Sequence, residues 1–218
     1  MHRTDLAGVT SAAGFPSHSR TDWVLCTGQP GSGKTTAVLA LAKELQRCHN
    51  LRVRGFVTEE VLGPDGCRVG FDVVTLPDAK RGVLSRKGGP PGQPKTGQYS
   101  VDVVAFEQLA LPTLAADDDP SSVVYVLDEI GRMELHSAAF AELVESLLGR
   151  GARLLGAITA PIYGHRVPFC DRVSASAGVV VHKLTTKLRD GVVEQLKQDL
   201  VQRWSEPDAR SAETSRKR

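Results

Sequence analysis

An α/β fold, a three-layer sandwich with a mostly parallel sheet that carries an antiparallel β-hairpin insertion, is predicted by three features of the 218-residue sequence. Short β-branched runs alternate with helix-period runs, the pattern of strands joined by crossover helices. The run "VVYVL" at 123–127 is apolar without a break, as suits a central strand covered on both faces. Two other β-branched runs, "RVRGFVTEEV" and "CRVGFDVVTL", are separated only by "LGPDG", whose Pro-Asp-Gly is turn chemistry, so residues 52–76 read as a hairpin.

Each element follows in order. Trp23 to Thr27 is a short buried strand, and Lys34 to Arg47 a helix with Val38, Leu41, Ala42 and Leu45 at helical spacing. The hairpin comes next, with two readings open: an edge extension of the sheet, or a clamp over a ligand. The stretch "RKGGPPGQPKTG" at 86–97 has five glycines and prolines in its first seven residues and reads as a mobile surface loop. "QYSVDVV" is a strand, and "AFEQLALPTLAA" a helix that Pro112 ends or kinks. After the acidic "DDDP" and the central strand, Ser137 caps an amphipathic helix that runs to Arg150 near Gly149 and Gly151. "ARLLGAIT" and "GVVVHKL" are further strands, and Thr186 to Trp204 is a last helix with Leu188, Val192, Val193, Leu196, Leu200 and Trp204 on one face.

Composition sets the outer limits. Apolar residues at 41% and charged residues at 24% support a normal core, so one globular domain is expected over residues 22–204. Residues 1–21 read as a disordered leader, with an organelle presequence as the alternative, and 205–218 as a disordered basic tail ending in "SRKR". A formal charge of +2 does not imply a nucleic-acid surface, and no apolar run reaches the eighteen or so residues of a membrane helix. Cys26, Cys48, Cys67 and Cys170 are scattered, with no Cys-x-x-Cys pair and no zinc-spaced His, which points to reduced thiols and a cytoplasmic protein. A monomer is expected.

The chemistry is concentrated in two places. "GQPGSGKT" at 28–35 lies between a strand and a helix. Gly28, Gly31 and Gly33 free successive backbone N–H groups to face phosphates at the positive end of that helix. Lys34 would reach the β and γ phosphates, and the Thr35 hydroxyl would ligate Mg²⁺. Such a loop needs a second carboxylate at the end of a buried strand, and Asp128 ends the run "VVYVL". Glu129 follows, placed to take a proton from an attacking water, and a water-activating base beside a γ-phosphate favours a hydrolase over a kinase. A guanine-reading Asn/Thr-Lys-x-Asp signature is not met, since in "TTKLRD" the acid comes one residue late. Arg132, Arg68, Arg81, Arg86, Arg166 and Arg172 are candidates for stabilising developing charge.

Five blocks in order, "TGQPGSGKTT", "GFVTEEV", "RVGFDVVTL", "GQYSVDV" with "FEQLALP", and "VLDEIGRMEL", resemble the cancer-related nucleoside-triphosphatase family of small P-loop NTPases, also found in thermophilic microbes. The likeness is good over about residues 23–160 and poor beyond. It implies a single P-loop NTPase domain and slow, Mg²⁺-dependent hydrolysis of several nucleoside 5′-triphosphates, including ATP and GTP, to diphosphate and phosphate. It assigns phosphate binding to Gly28, Gln29, Pro30, Gly31, Ser32, Gly33, Lys34, Thr35 and Thr36, and Mg²⁺ and water handling to Asp128 and Glu129. Two departures bear on rate and base preference: Ser174 and Ser176 stand where the family tends to carry arginines, and Leu188, after Thr185, stands where it tends to carry Asn. Two other functions remain as rivals. One is a phosphotransferase acting on a nucleotide or small metabolite, with 86–97 as its lid; the other is a nucleotide-gated binding module.

Overall fold

The structure, a computed structural model, describes residues 21–49, 51–160, 166–187 and 189–204. The expectations for residues 1–20 of the leader, for the tail and for Leu188 lie outside these residues, whereas Thr21 is described, its hydroxyl donating to the Leu148 carbonyl at 3.2 Å.

Nine strands, β1 (Asp22–Thr27), β2 (Arg52–Leu62), β3 (Arg68–Leu76), β4 (Arg81–Lys87), β5 (Lys95–Thr96), β6 (Tyr99–Val101), β7 (Val123–Ile130), β8 (Arg153–Ile158) and β9 (Val179–Lys183), form one sheet among the described residues. Its order is β5-β6-β4-β3-β2-β7-β8-β1-β9. From β2 to β9 every pairing is parallel; from β2 outward to β5 every pairing is antiparallel. The predicted hairpin is therefore β2–β3, and it is larger in effect than an insertion at an edge. β2 lies inside the sheet against β7, and β4, β6 and β5 continue from β3 as an antiparallel wing.

Five α-helices among the described residues complete the layers: α1 (Lys34–His49), α2 (Val103–Ala110), α3 (Ala138–Gly149), α4 (Pro168–Ala175) and α5 (Arg189–Trp204). Strand alternation divides the core in two. Trp23 and Leu25 face the helices α2, α3 and α4 through Phe106, Phe140 and Cys170, whereas Val24 and Cys26 face α1 and α5 through Val38, Leu41, Leu196 and Leu200. On the first face Phe56, Phe106 and Phe140 meet edge to face at centroid distances of 5.3–5.8 Å. Trp23 also ties β1 to the start of β8, its indole N–H donating to the Ala152 carbonyl at 2.9 Å.

Caps decide two helix starts. The Phe140 N–H donates to Ser137 Oγ at 2.9 Å, and the Ser137 hydroxyl donates to Glu107 on α2 at 2.6 Å, so the predicted cap also joins two helices. The Asp102 carboxylate accepts from the Ala105 N–H at 3.0 Å. That cap draws Val103 and Val104 into α2, against their β-branched preference, and the strand "QYSVDVV" stops at Val101. Helix α2 ends before Pro112, which enters a 3₁₀ turn over Leu111–Leu114.

Four elements differ from the sequence reading. β4 takes in the first two residues of the expected 86–97 loop, and β5 forms from Lys95 and Thr96, so the Gly- and Pro-rich middle and Gly97 lack strand structure. α4 lies just before β9, with Pro168 in its first turn. α5 begins at Arg189, later than Thr186. No helix among the described residues is long and apolar enough to cross a membrane.

Candidate active site

The loop between β1 and α1 takes its shape from backbone constraints. Gly31 and Gly33 have φ of 77° and 94°, left-handed values that a Cβ disfavours. Gly28 is needed for another reason: a Cβ there would lie 2.5 Å from the Leu184 carbonyl oxygen and 2.6 Å from Ser32 Oγ. The loop closes on itself where the Ser32 N–H donates to the Gln29 carbonyl at 3.1 Å. Lys34 folds back over it, donating to the Gly28 carbonyl at 3.0 Å with Nζ 3.5 Å from Glu129 Oε2.

Consecutive strand residues point to opposite faces, yet Asp128 and Glu129 both meet loop residues. The register explains this. Val123, Tyr125 and Leu127 face one layer and so does Ile130, one position out of step, because the pairing with β8 slips between Leu127 and Ile130. The slip is a bulge at the mouth of the site, and it aims both carboxylates at the loop; the peptide between them is cis.

Asp128 is 1% exposed. Burial pushes its carboxyl up to about 7, a hydrogen bond from the Thr35 hydroxyl opposes the rise, Glu129 adds to it and Lys34 opposes it. Its Oδ2 has no hydrogen-bond partner among the described residues. An orphaned buried carboxylate oxygen beside a threonine hydroxyl is a donor set that suits a hard divalent cation. Glu129 is more open, and the Thr159 hydroxyl donates to its Oε1 at 2.6 Å. Cys26, on β1 with β8 between it and the carboxylate strand, has its thiol pushed up to about 12 by burial and by Asp128, so it stays protonated and serves as packing.

A cavity of about 570 Å³ opens beside these groups. Pro30, Gly31, Gly33, Lys34, Thr35, Thr36 and Glu129 line it, while Gly28, Gln29, Ser32 and Asp128 do not. Gly28 and Ser32 are buried behind the loop, Asp128 is buried beside Thr35, and Gln29 is exposed outside the cavity. β2 supplies the far wall with Thr58, Glu59 and Glu60, and the antiparallel strands beyond it with Arg68, Phe71, Leu84 and Thr96. The hairpin thus extends the sheet and also faces the site. Of the candidate arginines, Arg68 and Arg132 line the cavity. Arg68 pairs with Glu60 and sits over the Phe71 ring at 5.2 Å, whereas Arg81 and Arg86 are engaged by Asp72, Arg166 by Asp171 and Arg172 by Glu145.

Two residues of the site were not singled out in the sequence. Glu134 lines the cavity at 3% exposure, and burial, then the Glu129 charge, holds its carboxyl well above the usual range. Nothing local in "GRMEL" reports its burial. Thr159 did leave a signal: a polar residue ending the apolar run "LLGAI", as Asp128 ends "VVYVL". Ser174 lies in α4 and Ser176 just after it, donating to the Arg172 carbonyl at 2.9 Å, and neither lines the cavity.

A glycine loop that links the sheet's buried β1 to a helix N-terminus, facing a strand-end carboxylate with β8 inserted between, defines a P-loop NTPase fold. A family model described as NTPase matches residues 23–197, so the likeness runs past residue 160, and the chain belongs to that family. It is 41% identical over 181 residues to the cancer-related nucleoside-triphosphatase of Homo sapiens, covering 79% of this chain and 93% of that protein. It is 34% identical over 173 residues to the nucleoside-triphosphatase THEP1 of Thermotoga petrophila, covering 79% and 89%. Among solved structures, THEP1 from the hyperthermophile Aquifex aeolicus superposes with a TM-score of 0.67 at 31% identity, covering 80% of this chain and 96% of that one. The solution structure of a human cancer-related nucleoside triphosphatase gives 0.66 at 39%, covering 82% and 96%.

Proposed function

We propose that this protein hydrolyses nucleoside 5′-triphosphates, ATP and GTP among them, to the diphosphate and phosphate, slowly, with broad base preference and with Mg²⁺. The observation that carries the reading is the placement of Glu129 on the cavity wall, 3.5 Å from the loop lysine and next to the buried Asp128. The names of the relatives, nucleoside-triphosphatases from human and Thermotoga, support the reaction class.

The roles follow from position. Backbone N–H groups of the loop and the first turn of α1 bind the phosphates, and Lys34 exchanges its present acceptors for the β and γ oxygens. Thr35 and Asp128 would hold Mg²⁺, which when bound neutralises charge on the phosphate chain. Glu129 orients a water in line with the γ-phosphorus and takes its proton. The water oxygen bonds to phosphorus as the bond to the β-phosphate oxygen breaks, and that oxygen leaves with the diphosphate.

Phosphate release from ATP, GTP, CTP and UTP, with nucleotide affinity followed in parallel, tests this. Lys34→Ala and Glu129→Gln should each lose release by at least ~100-fold, with Glu129→Gln still binding. A wild-type protein that binds nucleotide without releasing phosphate would refute hydrolysis as its function.

A further inference from the structure

The Glu129 carboxylate is tied at both oxygens: the Thr159 hydroxyl donates to Oε1 at 2.6 Å, and Lys34 Nζ lies 3.5 Å from Oε2. The two ties respond differently to a triphosphate. A loop lysine is drawn to the β and γ oxygens, which carry more charge than one carboxylate, so the tie at Oε2 is released on binding. Thr159 has no such reason to leave. It follows the last residue of β8, and its backbone N–H donates to the Ile130 carbonyl at 3.1 Å, so it is anchored to the strand that carries Glu129. Gly131 preserves the contact, because a Cβ there would lie 2.8 Å from both Glu129 Oε1 and Thr159 Oγ1.

We propose that Thr159 is the positioning residue for Glu129 during turnover: it fixes Oε1, so that Oε2, vacated by Lys34, is the oxygen presented to the attacking water. The inference rests on Glu129 being the group that activates water. Thr159 acts through Glu129, so its loss lowers kcat and leaves nucleotide binding in place. A carboxylate without this tie turns about its last bond, and a misplacement of about 1 Å at a reacting group costs ~100-fold.

Thr159→Val keeps the shape and removes the hydroxyl; Thr159→Ser restores it. Single-turnover and steady-state phosphate release from ATP with Mg²⁺ are measured on both, on Glu129→Gln, and on the Thr159→Val/Glu129→Gln double variant. The expected result is a kcat ~10- to 100-fold lower in Thr159→Val with KM within ~2-fold, near-normal turnover in Thr159→Ser, and under ~2-fold effect of Thr159→Val on the Glu129→Gln protein. Wild-type kcat in Thr159→Val overturns the proposal. So does a loss that persists undiminished beside Glu129→Gln. If Thr159→Val does not fold, Thr159→Ala goes through the same comparison and is judged by the same criteria. Full activity in Glu129→Gln would sink the reading of Glu129 itself; Thr159→Val losing activity beside it would then mean that Thr159 meets the substrate directly.

Discussion

Replacing Asp128 by Asn should make the metal-free protein more stable at high pH while removing its activity. The Asp128 carboxyl has a pKa near 7 when folded and 3.8 in the reference state. The folded chain therefore holds a proton that the unfolded chain has lost, and stability falls as pH rises from about 4 to about 7. At about 1.4 kcal/mol per unit, the penalty above pH 7 is ~4 kcal/mol. Asn carries no charge and escapes it, but its amide inherits the unpartnered position of Oδ2, which costs ~1–3 kcal/mol. The net gain at pH 8 is then ~1–3 kcal/mol. The firmer quantity is the change with pH: between pH 4.5 and pH 8 the stability of Asp128→Asn relative to wild type should rise by about 3 kcal/mol. Urea denaturation at several pH values, with a chelator present, measures it. A difference between the two proteins that is flat across that range would refute the assignment of a strained, proton-holding carboxyl at 128. Mg²⁺ with nucleotide should stabilise wild type and leave Asp128→Asn nearly unmoved.

Two further outcomes follow from packing. Gly28→Ala places a methyl 2.5 Å from the Leu184 carbonyl oxygen, a backbone atom with little room to retreat, so a destabilisation of ~1–3 kcal/mol and weaker nucleotide binding are expected, read by thermal melting and nucleotide titration. Phe140→Ala empties a fully buried position between Phe56 and Phe106 and should cost ~3–5 kcal/mol, seen as a lower denaturation midpoint, with kcat near normal at temperatures where the variant stays folded.

The parts legible in the sequence are those whose physics is local. A loop that needs positive φ shows its glycines, a central strand shows an unbroken apolar run, and Ser137 announces the helix it caps. The wing strand β4, "RGVLSRK", carries three basic residues in seven and only Leu84 and Ser85 are fully buried, so its strand character comes from pairing with β3 and β6 rather than from its own composition. α4 is short, and "PFCDRVSA" buries only Cys170 and Val173. The place of Glu129 after Asp128 suggests its role, although simple alternation sends one of the two away; what brings both to the loop is a slip against β8 that no local pattern reveals. Glu134 is the extreme case, a carboxylate whose burial depends wholly on what packs over it.

The division of the sheet at β2 also sets an order of assembly. On the wing side, partners are neighbours in the chain, as with Thr58 and Val73, so these pairings close small loops and form early. On the other side Trp23 must find Leu154, and β8 must enter between β1 and β7 before the glycine loop and the carboxylates face one another. The cavity depends on this long-range pairing, and no part of the chain can offer it beforehand. Nucleotide thus arrives as a ligand of the completed molecule alone, drawing the population toward it by mass action without guiding the path that leads there.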